Sequence, residues 1–181
     1  MQVSRKTQIA TEEFKLCDQI AIKLKNLGDF TATVRKISDD GVLLIFDSIV
    51  VRRRMNSEWT NEGGFENSEL NKWMQSELLD AFPEELKSRI KSISIPTYGQ
   101  MFGHDDFYKN FEEDDDEQLL LMKNEKNRVA TFEDETCSYW LKNATKKSVS
   151  SADFAFVTYF GSADCNDASV SLGVLPVILL R

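Results

Sequence analysis

The chain has 181 residues, 41% hydrophobic and 29% charged, with 30 acidic against 22 basic side chains and a formal net charge of −8. That length is enough to bury a sizeable core, and the charge balance argues against wholesale binding to nucleic-acid phosphate or anionic membrane, both of which need a cationic face. The longest apolar run falls far short of the roughly 20 residues of a membrane span. No membrane insertion is therefore expected, and with no apolar signal core visible near the N-terminus the expected location is the cytosol or a phage particle.

In chain order, residues 7–27 carry Phe14, Cys17, Ile20, Ala21, Leu24 and Leu27 at helical spacing, with Thr11 as a cap, Glu12 and Glu13 at the positive end of the dipole, and Asn26-Leu27-Gly28 as a stop. This predicts an N-terminal amphipathic helix (1–28) packed on a domain of residues 29–181, with a homo-oligomer seam as the alternative use of its stripe. Phe30, Ala32, Val34 and Ile37 then alternate as a half-buried strand. Ser38-Asp39-Asp40-Gly41 reads as a turn, Val42 to Phe46 as a second strand and Ile49 to Val51 as a third. The tripeptide Arg52-Arg53-Arg54 reads as a solvated strand edge.

Met55 to Glu66 has no period and reads as a loop. Asn67 is placed to cap a helix whose apolar face is Leu70, Trp73, Met74, Leu78 and Phe82. Pro83 starts a short helix, Glu84 to Ile90, and Ser92 to Pro96 is a strand candidate. Residues 98–117 mix aromatic side chains with an acidic run, Glu112 to Glu117, that reads as a solvated loop. Leu119 to Met122 is expected as a buried strand, 124–135 as loop, and further strands near 138–141, 154–159 and 172–180, the last closing into the core. One α+β domain is the economical reading.

The order of these blocks resembles the bacterial and phage domain family DUF6273, a domain of unknown function. The resemblance rests on Val42 to Asn56, on Phe65-Glu66-Asn67-Ser68-Glu69-Leu70 leading to Trp73-Met74, and on Tyr139-Trp140-Leu141, Val157, Gly161 and Gly173-Val174-Leu175-Pro176. It departs from the family pattern at Leu175 and Lys142, where the pattern has arginine. The family is similar to the C-type-lectin-like fold of formylglycine-generating enzymes and of phage receptor-binding proteins. The resemblance thus implies small antiparallel sheets flanked by two main helices, with long loops on one side.

Three groups of residues are candidates for function. Tyr98, Phe102, His104, Phe107, Tyr108 and Phe111 either plug the core or form a binding surface. Asp164, Asn166 and Asp167 are hard oxygen donors of the kind Ca²⁺ takes, but three fall short of a full shell and turn chemistry also explains them, so no cofactor is expected. Cys17, Cys137 and Cys165 match no metal spacing; reduced thiols are expected, with a Cys137–Cys165 pair as the alternative. His104 beside Asp105 and Asp106 does not make a dyad, because sequence neighbours point apart. The expectation is a non-enzymatic binding or structural module of bacterial or prophage origin, recognising a protein or glycan through its loops. The alternatives are a formylglycine-generating-enzyme-like enzyme using Cys137 and Cys165, and a helix-mediated oligomer.

Overall fold

The computed structural model describes residues 13–181. The described part of the expected N-terminal helix, 13–27, holds no helix and contains a strand. β1 (Gln19–Leu24) pairs antiparallel along its whole length with β2 (Gly28–Ser38). Its burial alternates, with Ile22 and Leu24 inside and Gln19, Ala21 and Lys23 outside. The period of two in Gln19 to Leu24, with β-branched Ile20 and Ile22, competes with the wider helical spacing and wins because β2 offers a partner edge. The helix-stop signal is the turn of this hairpin, where Asn26 takes φ +64° and Gly28 φ +120°. The seam reading loses its helix over the described residues; Thr11, Glu12 and the start of the segment lie outside them.

β2 turns through Asp39 and Asp40 into β3 (Gly41–Phe46), as the alternation predicts. Ile49 and Val50 are buried in the crossing between two sheets, and the third strand, β4 (Val51–Arg53), starts two residues later than expected. After α1 (Gly64–Asn67), α2 (Glu69–Trp73) runs without a break through a π-helical turn (Met74–Leu78) into α3 (Leu79–Ala81). The cap is Ser68 rather than Asn67: its side chain accepts the Asn71 N–H at 3.0 Å, while Asn67 donates to the Gly63 carbonyl. The expected apolar face, Leu70 to Phe82, is buried. α4 (Glu84–Lys87) follows Pro83, and β5 (Ile90–Ser94) follows in turn.

α5 (Tyr98–Phe102) lies in the stretch expected to be irregular. Leu120–Lys123 forms a 3₁₀ turn rather than a strand, burying Leu119 and Met122 and leaving Leu120 71% exposed. That spacing of three is the 3₁₀ period. A ribbon of β6 (Ala130–Phe132) and β7 (Glu135–Cys137) turns on Glu133 and Asp134, both at positive φ. β8 (Tyr139–Ala144), β9 (Asp153–Val157), β10 (Ala163–Asp167), β11 (Leu172–Val174) and β12 (Val177–Leu180) complete the chain.

The strands form two five-stranded sheets, ordered β1-β2-β3-β12-β5 and β10-β9-β8-β11-β4. All neighbours are antiparallel except β8 with β11. The chain is therefore α+β. Leu175-Pro176 carries it from one sheet to the other, and β12 is clamped between β3 and β5 with Ile178 and Leu180 fully buried. Each such side chain contributes about 1.5–3 kcal/mol of apolar burial. One contiguous core joins Val34, Leu44 and Ile178 of the first sheet to Trp140, Phe154 and Val174 of the second, with Leu70 and Met74 closing it. Among the described residues no helix is long and apolar enough to cross a membrane.

Candidate functional site

The aromatic candidates face inward. Tyr98 and Phe111 are fully buried, and Phe102, Phe107 and Tyr108 are half-buried against the core. Tyr98 is the hub, with ring centroids 5.0 Å from Phe102, 5.1 Å from Phe111, 5.6 Å from Tyr108 and 6.4 Å from Phe107. Tyr98 and Phe111 therefore cannot meet a partner. Of this group only His104 is exposed, and it stacks on Tyr108 at 4.3 Å. The reason is that 98–111 has enough apolar area to close a satellite core once α5 forms.

The acidic run helps α5 form. The first three N–H groups of this helix have no partner within it. Tyr98 N donates to Asn143 Oδ1 at 2.7 Å, Gly99 N to Asp114 Oδ2 at 3.1 Å and Gln100 N to Thr97 Oγ1 at 3.1 Å. Asn143 Nδ2 also donates to Asp114, and Thr97 Oγ1 to Asp116 Oδ2. Asp114 and Asp116 are thus bound into the fold, which corrects the expectation of a solvated loop for these two, while Glu112, Glu113, Asp115 and Glu117 are exposed.

Burial raises the pKa of Tyr98, Tyr108 and Tyr139 above the ordinary tyrosine value, and at Tyr98 the Asp105 carboxylate that accepts its hydroxyl proton adds to the rise. Raised folded-state values give stabilisation that is complete below the unfolded value near 10 and is lost as pH climbs above it. In an ultraviolet titration the phenolate absorbance of these three is expected to appear together with alkaline unfolding seen by circular dichroism. Ionisation of all four tyrosines before unfolding would contradict their burial.

Asp164, Asn166 and Asp167 sit on edge strand β10 and its end rather than in a loop. Alternation along a strand turns Asp167 to the opposite face from its neighbour Asn166. Each side chain has a local use: Asp164 Oδ1 accepts Cys165 N–H, Asn166 Oδ1 accepts Asp167 N–H, and Asp167 Oδ1 accepts Ser169 N–H at 3.0 Å. Among the described residues no three His, Cys, Asp or Glu side chains are grouped as metal ligands. Cys137 in β7 and Cys165 in β10 are free thiols. Burial raises both pKa values, and Asp153 and Asp164 push Cys165 higher still, opposite to what a nucleophilic thiol needs.

Arg52, Arg53 and Arg54, which in sequence read as a solvated strand edge, line a cleft of about 360 Å³ together with Ser57, Glu69, Leu70 and Ser171. All three arginines are exposed, and none is in an ion pair among the described residues. Arg52 donates to the Ser171 carbonyl at 3.0 Å, and the Arg53 guanidinium lies 4.6 Å from the centre of the Trp73 ring. Ser57 donates to Glu69, whose carboxyl is held below its usual value chiefly by that bond, with Lys72 and Arg54 adding to the shift.

Two residues beyond Ser57, Trp59 is 74% exposed. Its turn is not loose. Asn56 Nδ2 donates to the Thr60 carbonyl, and Met55 and Asn56 N–H both donate to Ala168 O. Buried Asn61 anchors the far end through the carbonyls of Thr145, Ser150 and Asp153. A large apolar ring is therefore held out to solvent by an ordered scaffold. The signal in sequence was a tryptophan in an otherwise polar loop next to three arginines.

An α+β domain with this layout matches the family model of the domain of unknown function DUF6273 over residues 39–181, and the chain belongs to that family. No curated protein and no solved structure matches it.

Proposed function

We propose that this chain is a non-enzymatic binding module that takes an acidic segment of a protein partner in the cleft between β4 and the turn carrying Trp59. The observation that carries this reading is a cleft lined by three arginines lacking ion-pair partners among the described residues, with an exposed tryptophan two residues on in sequence from Ser57 of its lining. Tryptophan and arginine are the side chains most enriched where binding energy concentrates. Arginine matches a carboxylate with two parallel hydrogen bonds. A local cationic strip on a chain of net charge −8 also favours a partner that presents its acidic groups compactly. At a finer grain, the C-type-lectin-like reading of the fold is supported by the return of the C-terminal strand into the middle of a sheet and by the ordered loops at 54–63 and 168–171.

The test is fluorescence anisotropy with a labelled Asp- and Glu-rich decapeptide. Saturable binding is expected, weakening as salt rises from about 0.05 to about 0.5 M because exposed charges are screened. The R52Q/R54Q double variant and W59A should each lose about tenfold or more in affinity, in line with hot-spot truncations. Absence of binding, or capture of a neutral oligosaccharide by the same face instead, would refute the reading.

A further inference from the structure

A second cleft, of about 220 Å³, lies between the first sheet and the segment 122–130. Its lining includes Arg35, Asp47, Lys126, Arg128, Tyr139 and Leu175. Its charged side chains are three cations and one carboxylate, so its sign is opposite to that of the chain as a whole.

Arg35 is the unusual member. Its side chain is only 15% exposed, and its Nε is buried with no hydrogen-bond partner among the described residues. The guanidinium makes one hydrogen bond to these residues, a long one of 3.3 Å from Nη2 to Asp47 Oδ1. Asp47 is mainly engaged elsewhere, because the Thr33 hydroxyl sits 2.6 and 2.9 Å from its two oxygens. One of the five donors of this fork, Nε–H, is thus held inside the protein unused. Buried donors are normally satisfied, and those left over mark a place for a ligand or ordered solvent.

The opposite wall is fixed. Arg128 donates through Nε to Gly161 O at 2.8 Å and through Nη1 to Met122 O at 2.7 Å, and its guanidinium lies 4.7 Å from the centre of the Phe102 ring. The Tyr139 hydroxyl donates to Arg128 O at 2.6 Å, tying this wall to the floor of the cleft. Lys126 is exposed at the rim and makes no ion pair among the described residues. Ile45, Phe46 and Leu175 give the cleft apolar sides, which strengthen charge attraction inside it.

We propose that this cleft binds a small oxyanion, a carboxylate or a phosphate group, with the Arg35 guanidinium as the donor on one wall and Arg128 and Lys126 supplying charge from the facing segment. The volume is below that of pockets for drug-sized ligands and suits one such group on a small molecule. The site is separate from the Arg52–Arg54 cleft and stands without it.

Isothermal titration calorimetry of the full chain tests this, with inorganic phosphate and succinate as separate probes. One of them is expected to bind saturably at one site; which one assigns the group as phosphate or carboxylate. R35Q should weaken that binding by about tenfold or more, as expected for losing charge-assisted hydrogen bonds. K126A should weaken it severalfold while leaving the melting temperature of the free protein unchanged, so the test survives if R35Q fails to fold. The Lys126-dependent binding should persist in R52Q/R54Q, which separates it from any weaker heat contributed by the Arg52–Arg54 cleft. Failure of both probes to bind at millimolar concentration, or equal binding to the parent chain and K126A, would overturn the proposal.

Discussion

Replacing Phe111 with alanine is expected to destabilise the domain by about 3–5 kcal/mol, the range for emptying a buried aromatic site. For a chain of this length that corresponds to a fall in Tm of roughly 6–20 °C. Phe111 is fully buried between Tyr98 and Phe107, with centroids at 5.1 and 5.3 Å. Its backbone also pairs with Thr145 in an isolated bridge, so the satellite core cannot easily slide to fill the space. His104→Ala, by contrast, removes an exposed ring and should change stability by no more than about 0.5 kcal/mol. Urea denaturation of both variants checks the pair. A Phe111→Ala midpoint equal to that of the parent would mean that 98–111 is a surface loop after all.

The second large effect is expected at Gly41. Its φ of +140° is one that side-chain-bearing residues rarely adopt, and a Cβ there would run into the Leu180 carbonyl oxygen, with Leu179 Cδ1 3.3 Å away. The obstacle is backbone, so no rotamer change relieves it. Gly41→Ala must push β12 off β3, and β12 also holds β5, so three strands of the first sheet are disturbed together. A loss above about 4 kcal/mol is expected, which places it among the rare severe single substitutions. Gly64→Ala is the control. Gly64 also has positive φ, +63°, but nothing lies within 4 Å of its Cβ position. That variant should lose only about 1–2 kcal/mol, the cost of the left-handed backbone alone. Equal stability of the two alanine variants in urea would contradict the central placement of the C-terminal strand.

These two positions show where sequence was informative. The alternation from Phe30 to Ile37, the turn at Gly41 and the apolar run ending at Leu180 read in sequence as strand, turn and strand, and each is so. The segment 19–24 carried two periods at once, and the partner edge on β2 decided between them. The helix at Tyr98 carried one legible signal, the capping box of Thr97 with Gln100, but two of its first N–H groups are held by Asn143 and Asp114, up to 45 positions away. Leu119 to Met122 looked like a strand because a short apolar run does not distinguish a period of two from a period of three.

The candidate binding face was less legible still. Arg52 reaches Ser171 across 119 positions, and the cleft exists only because β4 lies beside β11. In sequence, three adjacent arginines look like a solvated edge. The structure adds that none is in an ion pair among the described residues, although Glu69 shares the cleft, and that Trp59, two residues on from Ser57 of its lining, is exposed. The opposite lesson comes from 98–111, where a density of aromatics suggestive of a contact surface closes on itself around Tyr98.

The recognition face is tested most directly by acrylamide quenching of tryptophan fluorescence. Trp73 and Trp140 are 7% and 0% exposed, so quenching reports chiefly on Trp59 at 74%. An Asp- and Glu-rich decapeptide is expected to shield Trp59 and lower the quenching constant in the parent chain, with no such effect in R52Q/R54Q. Quenching that is unchanged by the peptide, or reduced equally in the parent and the double variant, would contradict the assignment of this face to an acidic partner.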